Sequence, residues 1–271
     1  SFATSFDSDV VGVGQTPPTI ISPKPSGELV LSNDKNLENP PGNKSDAEIL
    51  KNTDNFNISF GSWVGSDKDG NPYVTTNVTK EALKIYSYQI INIYKSKIKE
   101  LSEDFSISTD FVKCPDSLYR SIRRYKILLP NEYTHYSKVN FDEPFRIFLS
   151  LVFHRLEMFQ KSNKGYIYFD EFKKDMFTFQ KAVNEIFGNR TQLDKLNTFI
   201  QYIEQFEFHG VSLDIRQNSS VVNSAKGKLF NDFKKLLKEI PTLQKVYGEK
   251  VFNSLILSMT KSHTDVLTLF D

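Results

Sequence analysis

The stretch FGSWVGSDKDGNPYVT, residues 60 to 75, sets apolar Phe60, Trp63 and Val64 directly ahead of Asp67, Lys68 and Asp69, with Gly61, Gly65 and Gly70 interspersed. The apolar residues read as the end of a strand. Three charges within the next few residues are more than a plain turn needs. Two readings are open. In one, the glycines supply backbone freedom, Asn71 and Pro72 close a surface loop, and the charges face water. In the other, a strand end presents the charges to a site, with Trp63 close enough to shape a pocket.

Composition narrows the class of protein. The chain has 271 residues, 39% hydrophobic and 13% aromatic, enough for a large core. A net charge of +1 argues against a nucleic-acid or membrane-surface partner. No apolar run approaches the roughly 18 residues of a spanning helix, and SFATSFDSD lacks the basic and apolar regions of a signal peptide. The expectation is a soluble, cytoplasmic protein. A single cysteine, Cys114, forms no internal disulfide and is expected to be buried or inert. The four sequons at Asn57, Asn77, Asn189 and Asn218 read as chance matches in an asparagine-rich chain.

Residues 1 to 56 hold six of the 11 prolines but only three of the 36 aromatics, Phe2, Phe6 and Phe56. They read as a flexible leader or inserted loop, with residues 57 to 271 as the main domain. The absence of an initial methionine suggests an excerpt or a processed form. Past Phe60, apolar spacings near 3.6 predict a helix capped at Thr75 or Thr76, carrying Ala82, Ile85, Tyr86, Ile90, Ile93 and Leu101, and running to about Glu103. Further helices are predicted at 116 to 127, 143 to 162, 169 to 187 and 191 to 206. The helix containing FRIFLSLVFHRLEMF is apolar on most of its circumference and is expected to be buried on more than one side. Strands are predicted at 210 to 217 and 252 to 259, each followed by polar residues and a resumed helical pattern. Strand, polar loop and helix form the unit of an α/β barrel, in which loops at the strands' carboxyl ends carry chemistry. The predicted fold is mostly α: part of a helix-rich, TIM-like α/β barrel with few short parallel strands.

Three strand ends stand out together: SWVGSDKDGNP, SLDIRQNSS and LILSMTKSHTD. Side by side at one barrel face, they would bring Lys68 and Arg216 into a cleft, with Asp67, Asp69 and Asp214 orienting them. That arrangement suits an anionic substrate, since arginine grips phosphate or carboxylate with a fork and lysine offers a point charge. Strand alternation puts Asp214 and Arg216 on one face and Ile215 on the other, which a structural salt bridge also permits. His135, His154, His209 and His263 form no ligand spacing, so a metal site made by this chain alone is not expected. Neither GxxxxGK[ST] nor GxSxG is present.

FGSWVGSDKDGNPYVT closely resembles the FxSWxGGDRDGNPxVT signature of phosphoenolpyruvate carboxylase. EFHGVSLDIRQNSS resembles that family's strand motif ending LDIRQ, NFDEPFRIFLSLVFHRLE its N-x-EPYR helix start, and FNSLILSMTKSHTDVL its YxISMxxxxSDVL segment. The four matches fall in the family's order over residues 60 to 270. Members are large, mostly helical α/β-barrel enzymes that carboxylate phosphoenolpyruvate with bicarbonate, giving oxaloacetate and phosphate, with magnesium or manganese. The resemblance implies a homotetramer as full-length enzyme. It also implies Lys68 and Arg216 as catalytic residues, and Trp63, Asp67, Lys68, Asp69, Asn71 and Asp214 as further substrate contacts. Lys68 stands where the family has arginine and keeps the charge without the fork. Ser66 replaces a usual glycine, and Glu207 and Gly210 depart from FGFHLASLDIR.

The family's TAHPT-type motif, with its catalytic histidine, is absent, and the metal carboxylates and the arginine- and glycine-rich loop belong to later family segments. The chain is therefore expected to be an excerpt of a larger enzyme, inactive alone and binding no metal by itself. The alternative is a non-catalytic regulatory or interaction protein derived from the same fold.

Overall fold

A computed structural model of the chain describes residues 59–162, 165–188 and 193–268. The proline-rich leader and two of the sequons, Asn57 and Asn189, lie outside the described residues. The chain forms strand β1 (Gly61–Ser62), then helices α1 (Thr76–Asp104), α2 (Asp116–Leu128), α3 (Pro130–Val139), α4 (Pro144–Ser162), α5 (Phe169–Phe187) and α6 (Asp194–Phe206). Strand β2 (Ser212–Asn218), helices α7 (Ser219–Ser224) and α8 (Lys228–Tyr247), strand β3 (Phe252–Ser258) and helix α9 (His263–Leu267) follow. It is a mostly helical chain with one small sheet among the described residues.

Helix α1 starts where its sequence says it should: the Thr75 hydroxyl accepts from the Val78 amide and satisfies one of the free N–H groups of the first turn. Its buried stripe is Leu83, Ile90, Ile91, Tyr94, Ile98 and Leu101, while Ile85 and Ile93, expected inside, are at least half exposed. The period was legible but its phase was not, because Ile85 and Ile93 are as apolar as Leu83 and Ile91 and define a rival stripe. Helix α4 is central, as its all-round apolarity predicts. Phe145, Phe148, Leu149, Leu151, Val152, Leu156 and Phe159 are all buried, and α4 packs on α1, α2, α3 and α5. Cys114 is buried, and that burial pushes its thiol up to about 12.

A buried ionic cluster sits among these apolar helices. Arg155 of α4 meets Asp175 of α5 at 3.3 Å and donates to the Gly165 carbonyl at 2.9 Å, with its guanidinium 3.7 Å from the Tyr166 ring centroid. Asp175 also accepts from Tyr166 at 3.0 Å, from Tyr125 of α2 and from Arg124. Every buried charge there has a partner, which is the condition for tolerating it.

The sheet is parallel throughout, in the order β1-β2-β3. Parallel pairing sends all three carboxyl ends to one edge. On β2 the buried residues Leu213, Ile215 and Gln217 alternate with the half-exposed Asp214, Arg216 and Asn218, so one face is sealed by the helices and the other is polar. At the opposite end of the sheet, Glu207 closes α6 at φ 45° and accepts from the Lys250 amide at 2.9 Å, joining the start of β2 to the start of β3. Gly248, at φ 110°, leaves room for that carboxylate, since a Cβ there would lie 2.0 Å from Glu207 Oε2.

Replacing Asp175 with alanine removes the buried carboxylate that Arg155, Tyr125 and Tyr166 share, leaving Arg155 only Glu171 and the Gly165 carbonyl and the two phenols without that acceptor. Asp175→Ala is expected to lower the unfolding free energy by about 3–5 kcal/mol, read from urea or guanidinium denaturation.

Candidate functional site

The site is built where the chain leaves β1 and rejoins β2. A tight turn follows β1, with the Ser66 and Asp67 amides both donating to the Trp63 carbonyl, at 2.9 and 3.0 Å. The loop then pairs with β2 again: Arg216 donates its amide to Ser66 O at 3.2 Å, and Lys68 donates its amide to Arg216 O at 2.9 Å. This bridge aligns Asp67 with Arg216. Residues aligned across a parallel ladder share a face, and their chain neighbours take the other.

That geometry assembles one group on the polar face. Arg216 Nη2 lies 3.0 Å from Asp69 Oδ2, and its Nη1 lies 3.7 Å from Asp67 Oδ2. Asp69 also accepts from Ser258 at the end of β3, and Asp214 accepts from Ser254 at 2.5 Å and Asn253 at 3.2 Å. The three strand ends therefore meet, held by side chains from each. Gln217, facing inward, fixes the loop from beneath: its Oε1 accepts from the Gly70 amide at 3.0 Å.

Lys68 goes the other way. Its side chain is 2% exposed and reaches under the loop to Asp232 Oδ2 of α8 at 2.9 Å and to the Val74 carbonyl at 2.8 Å. Asp232 in turn accepts from the Thr76 amide, at 2.9 and 3.2 Å to its two oxygens, and caps the first turn of α1. Burial pulls the Lys68 ammonium below its ordinary pKa, against the upward pull of Asp232. For Asp232, partial burial pushes the carboxyl up, but the bonds from Lys68 and Thr76 outweigh it and leave the group below the usual carboxylate value. Lys68 and Arg216, expected side by side in one cleft, thus point to opposite faces of the loop.

The remaining expected contacts divide. Trp63 is 64% exposed, not packed beneath the loop, and Asn71 commits its Oδ1 to the Tyr73 amide at 2.9 Å. Gly65 serves packing: at φ +84° its Cβ position would lie 2.6 Å from the Ala82 methyl on α1. Asp232, Gln217 and Ser258 escaped sequence reasoning. Asp232 lies 164 residues from Lys68, with no motif to link the two.

A divalent cation does not fit the described residues. No group of three or more His, Cys, Asp or Glu side chains among them is arranged to hold a metal ion, and Asp67 and Asp69 both lean on Arg216. The described helices include none long and apolar enough to cross a membrane.

Comparison with known proteins agrees with the motifs. A family model described as phosphoenolpyruvate carboxylase matches residues 43–236. A phosphoenolpyruvate carboxylase of Methylorubrum extorquens is 31% identical over 170 residues, covering 60% of this chain and 18% of that protein. One from Caulobacter vibrioides is 27% identical over 187 residues, covering 64% and 20%, and one from Prochlorococcus marinus is 23% identical over 274 residues, covering 77% and 28%. The chain therefore spans less than a third of the length of these curated relatives.

The Lys68–Asp232 pair makes a prediction about stability. Lys68→Met removes a charge-assisted bond and is expected to cost about 1.5–3 kcal/mol at neutral pH. Because the folded-state pKa of Asp232 lies below its unfolded value, the carboxylate's contribution is present at neutral pH and is lost as pH falls through that depressed value. The gap between parent and variant should narrow in acid, which denaturation at a series of pH values will read.

Proposed function

The chain belongs to the phosphoenolpyruvate carboxylase family, and from that premise we propose that it is a segment of an enzyme that joins bicarbonate to phosphoenolpyruvate, giving oxaloacetate and phosphate. The observation that carries this reading is the convergence of three matched motifs at one edge of a parallel sheet, with Asp69 meeting both Arg216 and Ser258. Loops at the carboxyl ends of parallel strands are where α/β folds place their chemistry. We take the three strands as part of a TIM-like barrel, since parallel strands are ordinarily covered on both faces and β2 is sealed on only one.

In this reading Arg216 is the substrate-side cation. Two of its nitrogens lean on Asp67 and Asp69, which hold the fork in place, and its 34% exposure leaves donors for a phosphate or carboxylate. Lys68 acts at one remove, by fixing the loop that carries those two aspartates. Three carboxylates against one guanidinium do not attract an anion, so the further cations and the divalent metal that the family uses come from outside these residues. Where bound, the metal offsets developing negative charge. A cytoplasmic tetramer is the assembly in which we expect the enzyme to work.

Two measurements test the proposal. The purified 271-residue chain, given phosphoenolpyruvate, labelled bicarbonate and magnesium, is expected to form no labelled oxaloacetate; clear formation would mean that the chemistry is complete within it. In a polypeptide of the relatives' length, Arg216→Met is expected to lower kcat/KM by roughly ten- to 150-fold, the value of one charge-assisted contact. A change within about twofold would remove Arg216 from the substrate's contacts.

A further inference from the structure

Well along α1 from the strand ends, a separate cavity of about 280 Å³ opens between α1, the end of α4 and the end of α8. Its floor is apolar, formed by Ile91, Phe159 and Tyr247, the last two meeting edge to face at 6.4 Å between centroids. Gln160 of α4 donates to the Tyr88 carbonyl at 2.9 Å and to Asn92 Oδ1 at 3.0 Å, tying the two helices together beside the opening. One polar group in the lining is anomalous. Ser87 is 2% exposed, and its hydroxyl has no hydrogen-bond partner among the described residues. A buried hydroxyl without a partner costs free energy that a ligand's polar atom would recover.

The mouth carries ammonium groups from both helices. Lys84 is 49% exposed and Lys161 is 75% exposed. Among the described residues each meets a carboxylate of its own helix: Lys84 meets Glu81 at 2.7 Å, and Lys161 meets Glu157 at 3.8 Å. Exposed pairs of that kind hold their partners weakly, so either lysine can turn to a ligand's anion. Burial, followed by the Glu81 carboxylate, pushes the Tyr247 phenol up to about 12.

We propose that this cavity binds a small organic carboxylate with an apolar body the size of one aromatic ring. The body lies on Ile91, Phe159 and Tyr247, a polar atom at its inner end bonds the Ser87 hydroxyl, and its carboxylate meets Lys84 and Lys161 at the mouth. Glu81 is the resident competitor for Lys84. The site is independent of the strand-end chemistry and stands whether or not that reading holds.

The test uses 4-hydroxybenzoate, benzoate and 4-hydroxybenzyl alcohol as probes, titrated into the 271-residue protein and followed by NMR shifts or calorimetry. 4-Hydroxybenzoate is expected to saturate with a Kd of about 1 mM or tighter, within reach of about ten non-hydrogen atoms. Benzoate, which lacks the hydroxyl, and 4-hydroxybenzyl alcohol, which lacks the charge, should each bind at least about threefold more weakly. Ser87→Ala should erase the preference for 4-hydroxybenzoate over benzoate. Lys84→Met with Lys161→Met should erase the preference over the alcohol, and Glu81→Gln should tighten 4-hydroxybenzoate. All four are small or exposed changes that leave the core packed. Absence of saturable binding by 4-hydroxybenzoate, or an affinity that stays within about twofold of the parent's in either the serine or the double-lysine variant, overturns the proposal.

Discussion

The ammonium of Lys68 is buried, and a buried charge must be met by fixed partners or it destabilises the fold. Here the partners are the Asp232 carboxylate of α8 and the carbonyl of Val74, farther along the same loop. Meeting them pins the loop after β1 to α8, and Asp232 extends the tie to the first turn of α1. The alternation of the backbone does the rest. With Lys68 turned inward, Asp67 and Asp69 must turn outward, and the aligned Arg216 of β2 lies between them. The inward lysine and the outward arginine are two consequences of one register.

This also accounts for the departure at position 68. The resembling signature has arginine there, whose guanidinium carries five donors in a rigid fork. The slot beneath the loop offers one carboxylate and one carbonyl to a side chain that is 2% exposed. A compact ammonium satisfies those acceptors and leaves fewer donors orphaned. Lys68 and Asp232 are therefore matched to each other, and on the proposed function the fork for the substrate is left to Arg216.

The helical part of the fold was legible because long apolar periods survive in single sequences. The predicted span 169 to 187 coincides with α5, and α1 and α4 begin and end within one residue of their expected limits. Helix α3 was missed because it buries nothing that would print a period, and the helical pattern expected after the first long strand had no limits to read, since Pro241 sits inside α8. The strand ends were legible as neighbours, since three polar strand termini in parallel must share an edge. The face on which Lys68 lies was not. Between β1 and the bridge to Arg216 the chain makes a tight turn, and a turn resets the alternation that a strand pattern would carry through. Nor could Asp232 be found, because an ion pair between a loop and a distant helix leaves no spacing to read.

The two faces of β2 differ in a way that packing alone does not explain. Leu213 and Ile215 seal one side against the helices, as any half-buried strand would. On the other, Asp214, Arg216, Asp67 and Asp69 stand together with hydroxyls of Ser254 and Ser258 bonded to them. Ile256, aligned with Arg216, is an exposed apolar residue on that face, but a face meant only to be covered by more protein would be mostly apolar, because each of the charged groups costs free energy when buried. A face meant only for water would not need an arginine held at two points by carboxylates, since such exposed pairs return little stability. On the proposed function, this polar surface is ordered in advance for a polar ligand. The order costs stability where it is built and is recovered only when the ligand's charge arrives, which is why the rigid fork, rather than the net charge of the face, is the feature that points to chemistry.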